Sequence, residues 1–215
     1  MTLLAIMASL LPAASIIPVH GVIQLSANSS RVLVYAKHVR WAIFGRFASL
    51  LFVGGLLAHS VLGSLSFGYL KPLIGIWILV FLVWRRMKPQ LRIPPKWIYA
   101  PLGIVTSFIS LFVGATGPFI APFFLRDDFT KEETIATKAA CQSAVHLIKV
   151  PVFWSLGFDF TGEIVFLATT VAAVIAGSFL GKWLLLRMSQ KRFVMVFESI
   201  LLIIAIHLFG KALLP

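Results

Sequence analysis

Residues 98–125 read IYAPLGIVTSFISLFVGATGPFIAPFFL, 28 residues without an Asp, Glu, Lys or Arg. About 20 apolar residues cross a bilayer as one helix. This stretch is longer, and Gly114-Ala115-Thr116-Gly117-Pro118 interrupts it. Glycine loosens the backbone and proline removes a donor, so the helix is expected to stop there. Pro118 suits the first turn of a new helix, where its missing N–H costs nothing. Phe119 to Leu125 then form a half-helix whose free N–H groups point into the membrane interior. Such an end is suited to an anion, and broken helices of this kind carry the sites of many secondary transporters. A proline kink satisfied by neighbouring helices is the plainer reading of the same residues.

The rest of the chain has the same character. Of its 215 residues 60% are hydrophobic and 12% charged, about half the charge of a soluble domain; mean hydropathy is +0.98. That excludes a soluble enzyme, a disordered chain and a nucleic-acid reader, and leaves an integral membrane protein. Further apolar runs cover 3–29 (broken near Pro12 and Pro18), 41–65, 68–84, 131–155, 163–186 and 193–210. A basic, proline-containing linker, Arg85 to Lys96, separates the third run from the fourth. No alternating ten-residue pattern suggests a β-barrel. The fold class is all-α, a polytopic membrane bundle. Met1 to Leu11 lacks the basic start of a signal peptide and reads as the first structural element. Cys141 stands alone in an apolar run, so it offers packing rather than a disulfide or a thiolate metal site.

The chain also resembles itself. His20, Gln24, Asn28 and Arg31 fall on Lys138, Gln142, His146 and Lys149 at one constant offset. The spacing of four, four and three puts each set along one helix face. Val32 falls on Val150, and with a small gap Gly55 falls on Gly177. Residues 1–84 and 98–215 are therefore read as two homologous repeats joined by linker 85–97. An old duplication kept for packing alone is the alternative.

Loop charge orients the repeats. Basic residues outnumber acidic ones 19 to 7, a net +12. They gather at the ends of apolar runs, as cytoplasmic loops do, and their field also favours anions. Residues 31–46 and 85–96 are basic, whereas 59–67 lack Lys and Arg; Arg187, Lys191 and Arg192 form another basic group. All basic loops share one side only if residues 98–125 enter the membrane and return at the Gly-Pro break. Each repeat then makes an odd number of crossings, and the repeats are inverted.

Candidate site residues follow. The break, Gly114, Thr116, Gly117 and Pro118, offers backbone N–H groups. Gln24, Asn28, Gln142 and His146 offer hydrogen bonds to an oxyanion, or stitch helices together. Arg31, Lys138 and Lys149 offer positive charge at a depth where it is costly, although Arg31 and Lys149 also lie where a long side chain reaches the interface. Glu198 is expected to pair with Lys182. His59 and His207 read as interfacial. Asp127, Asp128, Glu132 and Glu133 complement a helix start; their use as a two-metal carboxylate site lacks the accompanying histidine spacing. The six Trp residues sit mostly toward helix ends, as an aromatic belt would. No Walker loop, zinc motif, nucleophile elbow or dinucleotide fingerprint is present, so no cofactor and no metal is expected.

At Pro18-Val19-His20-Gly21-Val22-Ile23-Gln24-Leu25-Ser26-Ala27-Asn28 and Gly114-Ala115-Thr116-Gly117-Pro118 the chain resembles the sulfite exporter TauE/SafE family. Ala136-Thr137-Lys138 and Lys149 extend the match. The resemblance implies a multi-helix inner-membrane permease of duplicated architecture that handles sulfite, sulfonates or other small organic or sulfur-containing anions. Members usually open on a glycine-rich helix; by the repeat alignment Thr2 stands near the counterpart of Pro118, so that break would lie upstream of Met1. The expected function is secondary transport of a small anion by alternating access, in the cell inner membrane. Its partners are the anion, the lipid bilayer and a coupling proton or sodium ion, with no nucleic acid. The alternatives are a membrane-embedded enzyme using His146, Glu198 and Lys182, or an assembly subunit without a substrate.

Overall fold

A computed structural model of the chain describes residues 2–64, 70–87 and 93–185, together with 199, 202, 203 and 206. The described residues are helical and contain no strand: α1 (Thr2–Leu10), α2 (Ala13–Val34), α3 (Trp41–Ser49), α4 (Leu51–Leu62), α5 (Leu70–Arg86), α6 (Tyr99–Val113), α7 (Gly117–Phe124), α8 (Lys131–Ser155) and α9 (Ile164–Leu185). Short 3₁₀ turns, Ala36–His38 and Lys96–Ile98, lead into α3 and α6. Two apolar stretches, Trp41–Leu62 and Lys96–Val113, are long enough to cross a membrane. Of the expected last helix, 193–210, the structure describes 199, 202, 203 and 206, all helical; the Lys182–Glu198 pair, His207 and the basic group at 187–192 lie outside what it describes.

The fold is turned inside out relative to a soluble protein. His20, Asn28, Thr106, Ser110, Thr116, His146 and Lys149 are buried. Leu56, Val83, Trp154 and Val165 are 64%, 62%, 74% and 74% exposed. Exposed apolar surface on this scale requires an apolar surrounding, and buried polar groups then face one another. Trp41, Trp97 and Trp154 are exposed near helix ends, where the belt was expected.

Helix α2 packs mainly against α8, while α3 and α4 lie along α6. The contacts show α2 and α8 to be antiparallel. His20 meets His146, Ser29 Oγ lies 3.5 Å from Ser143 Oγ, and the Arg40 backbone N–H donates to Thr137 Oγ1 at 3.0 Å. Lipid supplies no hydrophobic drive between helices, so close approach through small residues does the work. A Cβ on Gly54 would fall 2.1 Å from the Ile104 carbonyl oxygen, and one on Gly103 2.1 Å from that of Phe47. Ser107 Oγ donates to the Leu51 carbonyl at 2.7 Å across the same seam.

Two expectations need correction. Pro18 does not break the first run: it lies buried inside a continuous α2. As the sixth residue of that helix it removes one bond, to the Ala14 carbonyl, and the surrounding packing tolerates the loss. The interruption is at Leu11-Pro12 alone. The run at 41–65 is in turn divided at Leu50 into α3 and α4.

The stretch at 98–125 comes back to where it started. Tyr99, the first residue of α6, donates its hydroxyl to the Phe123 carbonyl at 2.6 Å, and its ring packs 5.5 Å from that of Phe124 at a tilt of 59°. Buried Arg126 donates to the Pro94 carbonyl and the Tyr99 hydroxyl, tying both ends together. It also binds Asp128 through two nitrogens at 2.7 Å, which holds the Asp128 carboxyl below its ordinary value. Arg40 pairs with Glu133 at 2.8 Å. The re-entrant element is thus fastened at the end that also carries the α2–α3 turn and the start of α8.

Helix α8 begins where the acidic residues announced a helix start. Thr130 accepts from the Glu133 backbone N–H at 3.2 Å, and Glu133 Oε2 accepts from the Thr130 N–H at 3.0 Å. This capping box satisfies two free donors. Thr130→Ala should destabilise the protein by about 1 kcal/mol in denaturant titration of the solubilised chain, and Thr130→Ser should restore it. Equal stability of all three would show that Arg40–Glu133 alone holds the terminus.

Candidate functional site

The break between α6 and α7 is a tight turn on Gly114, at φ 78° and ψ −58°. The Ala115 N–H donates to the Val113 carbonyl at 2.9 Å, closing a γ-turn of the positive-φ kind that L residues rarely adopt. The turn swings the Gly114 carbonyl away from the helix axis, and Lys149 Nζ donates to it. The next carbonyl, that of Ala115, accepts from Trp77 Nε1 at 2.8 Å. Helix α7 then starts at Gly117 with Pro118 in its first turn, as expected. Among the described residues no acceptor bonds the backbone N–H of Thr116, Gly117 or Phe119.

Polar side chains close on this terminus. The Gln142 amide lies against Gly117: a Cβ there would come 3.0 Å from its Oε1. The rings of His20 and His146 stand 5.6 Å apart, edge to face. A Cβ on Gly114 would lie 3.7 Å from His20 Nδ1. Lys149 is fully buried, with its stem laid on Gly21. Both ring nitrogens of His20, Thr116 Oγ1, Gln142 Nε2 and His146 Nδ1 are buried without a hydrogen-bond partner among the described residues. Unpartnered buried polar atoms are costly and uncommon in native structures. Here several of them surround one helix terminus and one lysine, an arrangement that can surround a small polar solute.

The structure therefore gathers Gly114, Thr116, Gly117, Pro118, Gln142, His146 and Lys149. Gln24, Asn28 and Arg31 instead hydrogen-bond among themselves, and Lys138 stands one turn before Gln142 on α8. Asn28 Nδ2 donates to the Gln24 carbonyl at 2.8 Å, and Arg31 donates to Asn28 Oδ1 at 2.9 Å. Lys138 lies within electrostatic reach of Arg31. At 1.5 Å per residue, Arg31 is about 16 Å along α2 from His20, and Lys138 about 16 Å along α8 from Lys149.

His20 and Trp77 join the site without having been singled out for it. His20 was visible only as a member of the repeat, and Trp77 as one of the belt residues. The signal for His20 lay in the polar pattern that it shares with the 138–149 stretch: α2 and α8, which carry that pattern, pack against each other, and His20 meets His146 there. Cys141 is buried in the apolar cluster with Phe47, Tyr99 and Phe124, the packing role expected of it. Among the described residues no three His, Cys, Asp or Glu side chains come together to hold a metal. Asp128 and Glu133 are engaged with Arg126 and Arg40.

The family model described as sulfite exporter TauE/SafE matches residues 1–208 of the 215. The chain belongs to the TauE/SafE family. That family is one of membrane transporters, which accords with the lipid-facing exterior and polar interior described above. No curated protein and no solved structure matches the chain. Within this TauE/SafE chain the two segments that carried the resemblance, Pro18 to Asn28 and Gly114 to Pro118, are α2 and the break it packs beside.

Proposed function

We propose that the protein is a secondary transporter of a small oxyanion, such as sulfite or a sulfonate, bound at the break between α6 and α7. The observation that carries this reading is the ring of unpartnered buried polar atoms around the α7 N-terminus beside Lys149. The free N–H groups of Thr116 and Gly117 and the dipole of α7 favour negative charge. Lys149 supplies the counter-charge, Gln142 and Thr116 donate hydrogen bonds to the anion's oxygens, and the histidines complete the enclosure. Gln24, Asn28, Arg31 and Lys138 make the approach along the same helix pair positive.

Transport then follows alternating access between two inverted repeats, 1–84 and 98–215, joined by linker 85–97. The antiparallel packing of α2 on α8, the two helices that share the polar pattern, supports that arrangement. The end bearing Arg31, Arg40, Arg46 and Arg126 faces the cytoplasm by its charge, in a multi-pass protein of the cell inner membrane. A gradient of protons, of sodium or of the anion itself drives the flux.

The test is uptake of radiolabelled sulfite and of a sulfonate into proteoliposomes, by the wild type and by Thr116→Val with Gln142→Leu. These replacements keep side-chain volume and remove donors that lack a protein partner, so the fold is retained or strengthened. Uptake is expected to fall at least about tenfold, the loss of one to two hydrogen bonds to a charged group. Unchanged uptake, in protein that elutes as the wild type does, would overturn the site.

A further inference from the structure

Two buried histidines stand at the break. His20 on α2 and His146 on α8 meet edge to face, with ring centroids 5.6 Å apart. His20 Nδ1 lies 3.7 Å from where a Cβ on Gly114 would stand. Among the described residues neither nitrogen of His20 nor Nδ1 of His146 has a hydrogen-bond partner. A neutral imidazole carries one donor and one acceptor, an imidazolium two donors. Beside an oxyanion the acceptor nitrogen is repelled; protonation turns it into a charged donor, the stronger kind.

Charge balance points the same way. Lys149 brings one positive charge to this space, and among the described residues no carboxylate is bonded to it. That charge balances a monoanion such as a sulfonate. A dianion leaves one negative charge uncompensated in a buried site, which is costly, and one imidazolium removes the excess. In the empty site the same proton would set two cations side by side. Proton and dianion therefore favour each other's binding. The ring contact holds the count at one: a neutral ring's face attracts a cation within about 6 Å, whereas two imidazoliums repel.

The surrounding helices offer little else that titrates. Helix α1 has no ionisable side chain, and α6 and α7 have only Tyr99 at the far end. Helix α5 has none from Pro72 to Trp84, and α9 none from Ile164 to Gly181. Glu163, just before α9, accepts from Ser15 Oγ at 3.3 Å, about 8 Å along α2 from His20. On α8, Cys141 is buried among Phe47, Tyr99 and Phe124. His59 of α4 lines an apolar groove with Ile148 and Pro151. Arg46 of α3 is exposed and bonded to the Ala42 carbonyl. Arg31, Lys37, His38, Arg40 and Lys138 lie toward the end where α8 begins, and the chain's amino group adds a positive field at both rings.

We propose that His20 and His146 together bind one proton with each dianion at the break, so that the carrier moves a divalent oxyanion with one proton and a monovalent one with none. The inference rests on the anion reading above. The proton is taken up on the side from which the dianion enters and released with it on the other.

The test uses the full chain in proteoliposomes at a clamped membrane potential, with a pH dye inside. The probes are radiolabelled thiosulfate, a dianion throughout the neutral range, and methanesulfonate, a monoanion. Thiosulfate entry should carry in one proton per anion, and its initial rate should rise by up to about tenfold for each unit fall in external pH. Methanesulfonate should carry none and show no such slope. In His20→Gln with His146→Gln the proton count and the slope should vanish, and the thiosulfate-to-methanesulfonate rate ratio should fall about tenfold or more, the loss of one charge-assisted hydrogen bond. The wild-type proton count decides without the variant. Thiosulfate entering without a proton overturns the inference, as does uptake of methanesulfonate alone. A count and slope that persist in the double variant also overturn it and give the proton to Lys149 or the amino group. Uptake of neither probe, nor of sulfite, overturns the transport reading itself.

Discussion

Lys149→Met should nearly abolish anion uptake while leaving the protein as stable as the wild type, or more so. Lys149 is fully buried, its ammonium donates to the Gly114 carbonyl, and among the described residues no carboxylate is bonded to it. A charge at bilayer depth costs about 2.5–3.5 kcal/mol on insertion scales. Methionine is flexible, similar in length and uncharged, so it fills the space over Gly21 and removes that cost. A lysine kept for packing would be improved upon by this change. A lysine kept for an anion loses one charge-assisted hydrogen bond, worth about 1.5–3 kcal/mol, or roughly tenfold to a hundredfold in uptake at subsaturating anion. Lys149→Arg should not rescue it, because a Cβ on Gly21 would already come within 3.2 Å of the lysine stem and a guanidinium needs more room. Initial rates in proteoliposomes and a thermal melt of the same preparations check both halves. Wild-type uptake by Lys149→Met would remove the lysine from the site, and a collapsed melt would make its role structural.

The sequence showed the parts of this molecule whose signals are local. Helix α8 spans Lys131–Ser155, the range that the apolar run and its acidic start define. The half-helix after Gly117-Pro118 and the return of residues 98–125 to their entry side were both legible, one from two residue types and the other from loop charge. Pro18 misled because a proline's cost depends on its place in the helix, and a buried helix retains it when its neighbours hold both sides. Leu50 carries no breaker at all, so the division of α3 from α4 was invisible. The site was half legible. An i, i+4 pattern identifies a face, but a face of twelve residues runs about 16 Å. Gln24 to Arg31 and Lys138 therefore read as one site with Gln142 to Lys149, although Arg31 and Lys138 each lie about 16 Å along their helices from His20 and Lys149. That His20 meets His146 follows only from the packing of α2 on α8.

Gly114→Ala should impair transport far more than its effect on stability implies. At φ 78° and ψ −58° an L residue bears a strain of about 1–3 kcal/mol. The added methyl would meet Leu4 Cδ1 at 2.7 Å, the free end of a flexible side chain, so the backbone carries most of the penalty. Relief means flipping the turn. That breaks the Ala115 to Val113 bond, turns the Gly114 carbonyl from Lys149 and re-aims the first N–H groups of α7. Gly157 supplies the control. It has φ 85°, is exposed, and a Cβ there would meet none of the described residues within 4 Å. Gly157→Ala therefore bears the same kind of backbone strain at a position remote from the break. Both variants should lower the apparent melting temperature by a similar amount, and only Gly114→Ala should lose sulfite uptake. Loss of uptake in both would make it a consequence of general destabilisation. Retention in both would mean that the site does not depend on the turn, and the anion would then have to be held by side chains of α2 and α8 alone.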